Sequence, residues 1–132
     1  IMKLLVAIFL LAVSLTACRA DDFQRIYGGA DRVWLLKQFN GATFPAHATL
    51  TFPKAGEIAG EGPCNRYFGG MKTPYPTFDA GPIGSTRRGC PEMEAEVAFL
   101  SALETATTSK VEDGTLVLTS PDGTKMVFKA ID

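Results

Sequence analysis

The chain is short of the side chains that most often carry chemistry. Its 132 residues include one histidine, one tryptophan and three cysteines, at positions 18, 64 and 90. Isolated cysteines and a lone histidine do not supply the four closely paired nitrogen and sulfur ligands of a structural zinc site, so no metal is expected. Neither sign of charge dominates: 13 Lys+Arg against 14 Asp+Glu leave a formal net charge of −1. Nucleic acid calls for a concentrated basic surface, and this balance argues against it. Long apolar runs are also lacking. The one present, from Leu4 to Leu15, falls short of the roughly 20 residues that span a bilayer.

The same scarcity limits the catalytic readings. A cysteine nucleophile needs a base to take its proton, usually a histidine. In "TFPAHATLTF" the alternation puts Phe44, Ala46, Ala48, Leu50 and Phe52 on one face of a strand. His47 falls on the other, polar face with Thr43, Thr49 and Thr51, and no third group is placed to orient a Cys64–His47 pair. The stretch "GEGPCNRYFGG" lacks the Lys-Ser/Thr ending of a phosphate-binding loop, and its glycines suit turns and bulges. Asp21-Asp22 and Glu92, Glu94 and Glu96 do not space oxygens around a central glycine as a calcium loop does. They read as a solvated tether and the acidic start of a helix. No carboxylate pair stands out for sugar hydrolysis. No catalytic residue and no cofactor is expected, and a hydrolase is the weakest reading.

What is present begins with an export signal. Met2 reads as the start, Lys3 gives a positive n-region, and the apolar run ends in Leu15-Thr16-Ala17-Cys18. That ending resembles a bacterial lipobox, in which the cysteine is acylated and becomes the new N-terminus. Residues 1–17 are therefore expected to be a lipoprotein signal peptide, with Cys18 carrying the chain to a lipid bilayer. Arg19 is not the aspartate associated with inner-membrane retention, which favours the outer membrane, facing the periplasm. Removal of residues 1–17 leaves about 115, one domain's worth. With Cys18 lipidated, Cys64 and Cys90 remain as an even pair in an oxidising compartment, where a disulfide is the expected fate.

Residues 18–32 mix charge with a Gly-Gly pair and read as a tether, with the folded domain over 33–131. "VWLLKQF" has strand composition on both faces and stops at the turn signal Asn40-Gly41. Further short strands are expected at 57–60, 65–71 and 76–80. Pro91 then opens a helix over 91–106, expected to pack through Val97, Leu100 and Leu103 and to expose Glu96 and Glu104. Two alternating runs around Ser120-Pro121-Asp122-Gly123 close the chain as a hairpin. Strands, one helix and a hairpin predict an α+β fold, with the helix packed on a curved antiparallel sheet.

In order and spacing these pieces resemble the META domain of the bacterial heat-shock protein HslJ family. The resemblance rests on "WLL" at Trp34–Leu36, on Leu50-Thr51-Phe52, and on Gly62-Pro63-Cys64-Asn65-Arg66-Tyr67-Phe68-Gly69. Ser85-Thr86-Arg87-Arg88-Gly89-Cys90, "FLSAL" and the final hairpin complete it, so that it covers about residues 33–129. Pro63 ahead of Cys64, and Arg88-Gly89 ahead of Cys90, depart from the family pattern. The motif residues carried over are Trp34, Asn65, Tyr67, Gly69 and Thr86. The resemblance implies a β-rich curved sheet or cracked barrel, and an envelope protein linked to stress tolerance or secretion, with no enzymatic activity. The expectation is a membrane-anchored domain that binds an envelope protein or ligand. The alternative is a periplasmic inhibitor of a lytic enzyme such as lysozyme, using the stretch 71–88 as its inserting loop.

Overall fold

A computed structural model of the protein describes residues 25–131. The expected signal peptide, Cys18 and the expected tether as far as residue 24 lie outside these residues. The elements run β1 (Trp34–Phe39), β2 (Ala42–Thr43), β3 (Thr49–Lys54), β4 (Glu57–Glu61), β5 (Arg66–Gly70), β6 (Gly84–Ser85), α1 (Met93–Thr105), β7 (Thr108–Glu112), β8 (Thr115–Thr119) and β9 (Lys125–Ala130). Eight strands lie in the order β6-β5-β4-β3-β1-β9-β8-β7, and β2 pairs β1 from off this path. Neighbours pair antiparallel throughout. The nine-stranded sheet is not closed into a barrel, and the fold is α+β as the sequence predicts.

Local chemistry accounts for the hairpins. Asn40 and Gly41 take φ values of 51° and 83° between the paired residues Phe39 and Ala42, the left-handed backbone of a tight two-residue turn. Asp113 and Gly114 do the same between Glu112 and Thr115. That second turn makes β7, a strand not expected from the sequence. β1 lies between β3 and β9, with both edges paired; Trp34 and Leu36 are buried on its core face, and Leu35 on the other is half-buried.

Three expectations about the strands and the start of the domain need correction. The alternating run 43–52 is not one strand. Its backbone leaves the sheet after β2 and returns at β3, around Pro45, which has no N–H for the ladder. Phe44, Ala48, Leu50 and Phe52 still face the core, while Thr49, expected on the polar face, is buried. The expected strand at 76–80 is a single bridge, Thr77 to Thr108. This segment bonds in both directions, with Gly70 N donating to Ala80 O at 3.1 Å and Ser109 N to Pro76 O at 2.8 Å. It thus ties the end of β5 to the start of β7. Lastly, the folded unit starts before residue 33. Tyr27 has no exposed surface, stacks on Phe52 with centroids 3.9 Å apart, and accepts at its carbonyl the Trp34 Nε1 proton at 3.0 Å.

Helix α1 begins two residues later than expected and shows a different face. Phe99, Ala102 and Leu103 are buried, and the Phe99 ring meets Tyr67 edge-on at 5.5 Å. Burying each large apolar side chain is worth about 1.5–3 kcal/mol. Val97 is 61% exposed and Leu100 half-buried, whereas Glu96 is only 3% exposed. The sequence carries two stripes of helical period, the expected 93-97-100-103 and the observed 96-99-103-106, which share Leu103 and otherwise lie about one residue apart. The second holds Phe99, whose larger ring wins the core despite the carboxylate beside it.

Candidate functional site

The turn from β4 to β5 is built from Gly62-Pro63-Cys64-Asn65, closed by Gly62 N donating to Asn65 O at 2.7 Å. That leaves the inner N–H groups of the turn without ladder partners, and Glu96 from the first turns of α1 supplies one. Its Oε1 accepts the N–H of Cys64 at 2.8 Å and of Asn65 at 2.7 Å, and its Oε2 accepts Asn65 Nδ2 at 2.6 Å. Only a glycine lets the helix come this close, because a Cβ at Gly62 would stand 2.7 Å from Glu96 Oε1. Three donors on one carboxylate offset its desolvation.

Asn65 passes the connection on. Its Oδ1 accepts Thr86 Oγ1–H at 2.8 Å and Arg88 N–H at 2.6 Å, and its Nδ2 also donates to Arg88 O at 2.8 Å. Both amide protons and both acceptor positions are used. Cys64 and Cys90 form a disulfide, with Cα atoms 5.6 Å apart, that fastens the far end of the same loop. Residues 86–90 are therefore held at Thr86, Arg88 and Cys90. Between these anchors the Arg87 and Arg88 side chains are exposed, and neither has an ion-pair partner among the described residues.

Beside this loop runs a groove of about 630 Å³ between β6 and α1, lined by Phe68, Ile83, Val97, Leu100, Arg87 and Arg88 among others. Phe68 is 60% exposed and shares with Val97 the character of a large apolar side chain left in water. Its ring lies on Gly84, where a Cβ would stand 2.6 Å from ring carbon Cε2. On the other side of Phe68 a second groove, about 680 Å³, crosses the outward faces of β3, β4 and β5 past Val33, Ala59 and Ile131.

The expected motif residues have distinct fates. Asn65 and Thr86 meet in the clamp. Trp34 is buried in β1, with the Arg32 guanidinium 5.6 Å from its ring centroid. Tyr67 is buried against Phe99 and donates its hydroxyl to Thr49 O; burial pushes its pKa well above the usual 10.0. Gly69 sits in β5 opposite Ile58, away from the clamp. His47 is exposed, with Nε2 3.4 Å from Glu61 Oε1, and the Cys64 sulfur is bonded to Cys90, so the two form no nucleophile–base pair. The stretch 71–88 does not project as a free loop, since Met71, Phe78 and Ala80 are buried. Among the described residues no group of three or more His, Cys, Asp or Glu could hold a metal ion, and no helix is long and apolar enough to cross a membrane.

Glu96 is the residue that sequence reasoning missed. The available signal was a carboxylate three residues ahead of Phe99 on the Phe99–Leu103 stripe, where a solvated side chain has no place.

The fold is similar to that of a protein from Burkholderia xenovorans determined by NMR, with a TM-score of 0.65 and 20% sequence identity over 96% of this chain and 99% of that one. A second NMR structure matches with a TM-score of 0.60 and 20% identity over 76% of this chain and 89% of that one. At such identity the likeness is one of fold. No curated protein matches the sequence. The META domain family model matches residues 29–132, which takes in the clamp, the disulfide and the whole sheet: the chain belongs to the META domain family.

Proposed function

We propose that this protein is a lipid-anchored envelope protein whose META domain acts as a non-catalytic binding module, supporting envelope integrity under stress or secretion. The anchor is Cys18, acylated after removal of residues 1–17 at Leu15-Thr16-Ala17-Cys18, and the domain faces the periplasm from the outer membrane. One observation carries the binding reading. Two of the domain's buried polar groups, Glu96 and Asn65, are consumed in holding a loop that presents Arg87 and Arg88 outward, beside a groove whose walls carry the exposed apolar side chains Phe68 and Val97. Exposed apolar side chains gathered in one groove mark interaction sites on small domains.

The experiment is in-cell crosslinking of the full chain, with Cys18→Ser alongside. Wild type should incorporate radioactive palmitate, fractionate with membranes and crosslink to a defined envelope partner. Cys18→Ser should lose label and membrane association together. Persistent labelling of that variant would overturn the anchor, and a wild-type chain with no specific crosslinked partner would overturn the binding module.

A further inference from the structure

The groove between β6 and α1 combines three features that together specify one kind of occupant. The first is an unpaired strand edge. β6 pairs with β5 through Tyr67–Ser85 and Phe68–Gly84, and Thr86 N donates to Arg66 O at 3.0 Å. In an antiparallel ladder, hydrogen-bonded and non-hydrogen-bonded pairs alternate. Ser85 is therefore at a non-bonded position, and its N–H and C=O point away from β5, into the groove. The neighbouring outward donor on the same edge, Ile83 N–H, is taken by Glu104 Oε2 of α1 at 2.9 Å. The N–H and C=O of Ser85 have no such partner among the described residues.

The second feature is charge. Arg87 and Arg88 line the groove, and Glu96, also in its lining, has its oxygens engaged by the Cys64 and Asn65 donors. The third is apolar surface on both walls: Phe68 and Ile83 on the strand side, Val97 and Leu100 on the helix side. The arginines are preorganised as well as exposed. Thr86 and Arg88 are bonded to Asn65, and Cys90 to Cys64, so the loop does not lose backbone freedom on binding.

We infer that this groove binds an extended peptide segment of a partner protein, one that alternates apolar and acidic side chains and adds as a strand to the β6 edge. Main-chain donors and acceptors meet Ser85, the apolar side chains enter between Phe68 and Val97, and the carboxylates pair with Arg87 and Arg88. An anionic membrane surface is the weaker match. It needs clusters of about 4–8 basic residues, and it offers no regular main-chain pattern to a strand edge. The inference rests on the partner-binding reading above and names the chemistry of the partner.

The test uses the full chain and a fluorescein-labelled peptide of about eight residues alternating valine with aspartate, followed by anisotropy. Binding should weaken about tenfold or more with lysine in place of aspartate, with backbone N-methylation at alternate peptide positions, and with the Arg87→Glu/Arg88→Glu double variant. Val97→Asp, at an exposed helix position, should weaken it similarly. Each protein variant is used only after its melting midpoint matches wild type, since all three side chains are exposed. Amide shifts in the NMR spectrum should centre on Ser85 and Arg87. No saturable binding, binding indifferent to these changes, or binding replaced by adsorption to vesicles of anionic lipid would each overturn the inference. An in-cell crosslinked partner that survives the double arginine variant would also overturn it, while leaving the binding-module reading in place.

Discussion

Glu96 holds Asn65 twice, accepting its backbone N–H at 2.7 Å and its side-chain Nδ2–H at 2.6 Å across 31 residues of sequence. The pair joins the β4–β5 turn, the start of α1 and the loop carrying Arg87 and Arg88. Removing the carboxylate leaves the N–H groups of Cys64 and Asn65 buried without acceptors, so Glu96→Ala should cost about 3–5 kcal/mol. Glu96→Gln keeps one oxygen but turns an NH₂ toward groups that are themselves donors, and should cost about 2 kcal/mol. Asn65→Asp sets a second carboxylate against the first and should be at least as damaging as Glu96→Ala. Urea unfolding measures all three. A Glu96→Ala midpoint matching wild type would mean that the clamp is incidental.

The stripe that α1 buries gives a separate expectation. Leu103 is fully buried and Val97 largely exposed, so Leu103→Ala should cost about 2–5 kcal/mol and Val97→Ala no more than about 0.5. Leu100, half-buried, should fall between. Thermal melts rank the three. A larger loss at Val97 than at Leu103 would put the other face of the helix in the core.

Much of the sheet was legible because its signals are local. Asn40-Gly41, the Ser120–Gly123 turn and the period-2 runs beside them depend on neighbours in sequence. β7 escaped because "TSKVE" has little alternation, although Asp113-Gly114 marked its turn as plainly as Asn40-Gly41 marked another. The helix was found but rotated: apolar spacing alone fitted two stripes, and deciding between them required knowing that Asn65 and Cys64 would offer Glu96 their N–H groups from another element. The family motif pointed to Asn65 and Thr86 without saying what they do. Their role is a relation among three segments, and no window of sequence contains it. Tyr27 was missed for the same reason, since its partners Phe52 and Ser109 lie far along the chain.

The Cys64–Cys90 bridge closes a loop of about 27 residues, and chain entropy assigns it on the order of 3.5 kcal/mol. It also holds the clamp's loop. Cys64→Ser and Cys90→Ser should therefore destabilise to the same extent, and the double variant should be no worse than either single one. Intact-mass measurement after alkylation of the folded chain should find neither Cys64 nor Cys90 modified. A double variant markedly less stable than the singles would show that the sulfurs contribute separately rather than through their bond.

Tyr27 makes the stability of the domain depend on alkaline pH. Burial of its ring pushes the phenol from 10.0 up to about 12, against a partial opposing pull from the hydrogen bond to Ser109 Oγ at 2.8 Å. The folded pKa is raised, so the contribution is fully present below pH 10, where both states are protonated. It falls as pH rises, because the unfolded chain ionises first, and it is lost once pH passes about 12. A shift of this size amounts to about 3 kcal/mol in full and about 1 kcal/mol by pH 11. Tyr67, raised in the same direction by its own burial, steepens the decline. Tyr27→Phe removes one ionisation and one hydrogen bond. At pH 8 it should be less stable than wild type by about 1 kcal/mol. Between pH 8 and 11 it should then lose about 1 kcal/mol less than wild type does, so that the two curves converge. Urea midpoints for both chains at pH 8, 10 and 11 check this, and curves that stay parallel across that range would show that the Tyr27 hydroxyl is open to water in the folded protein.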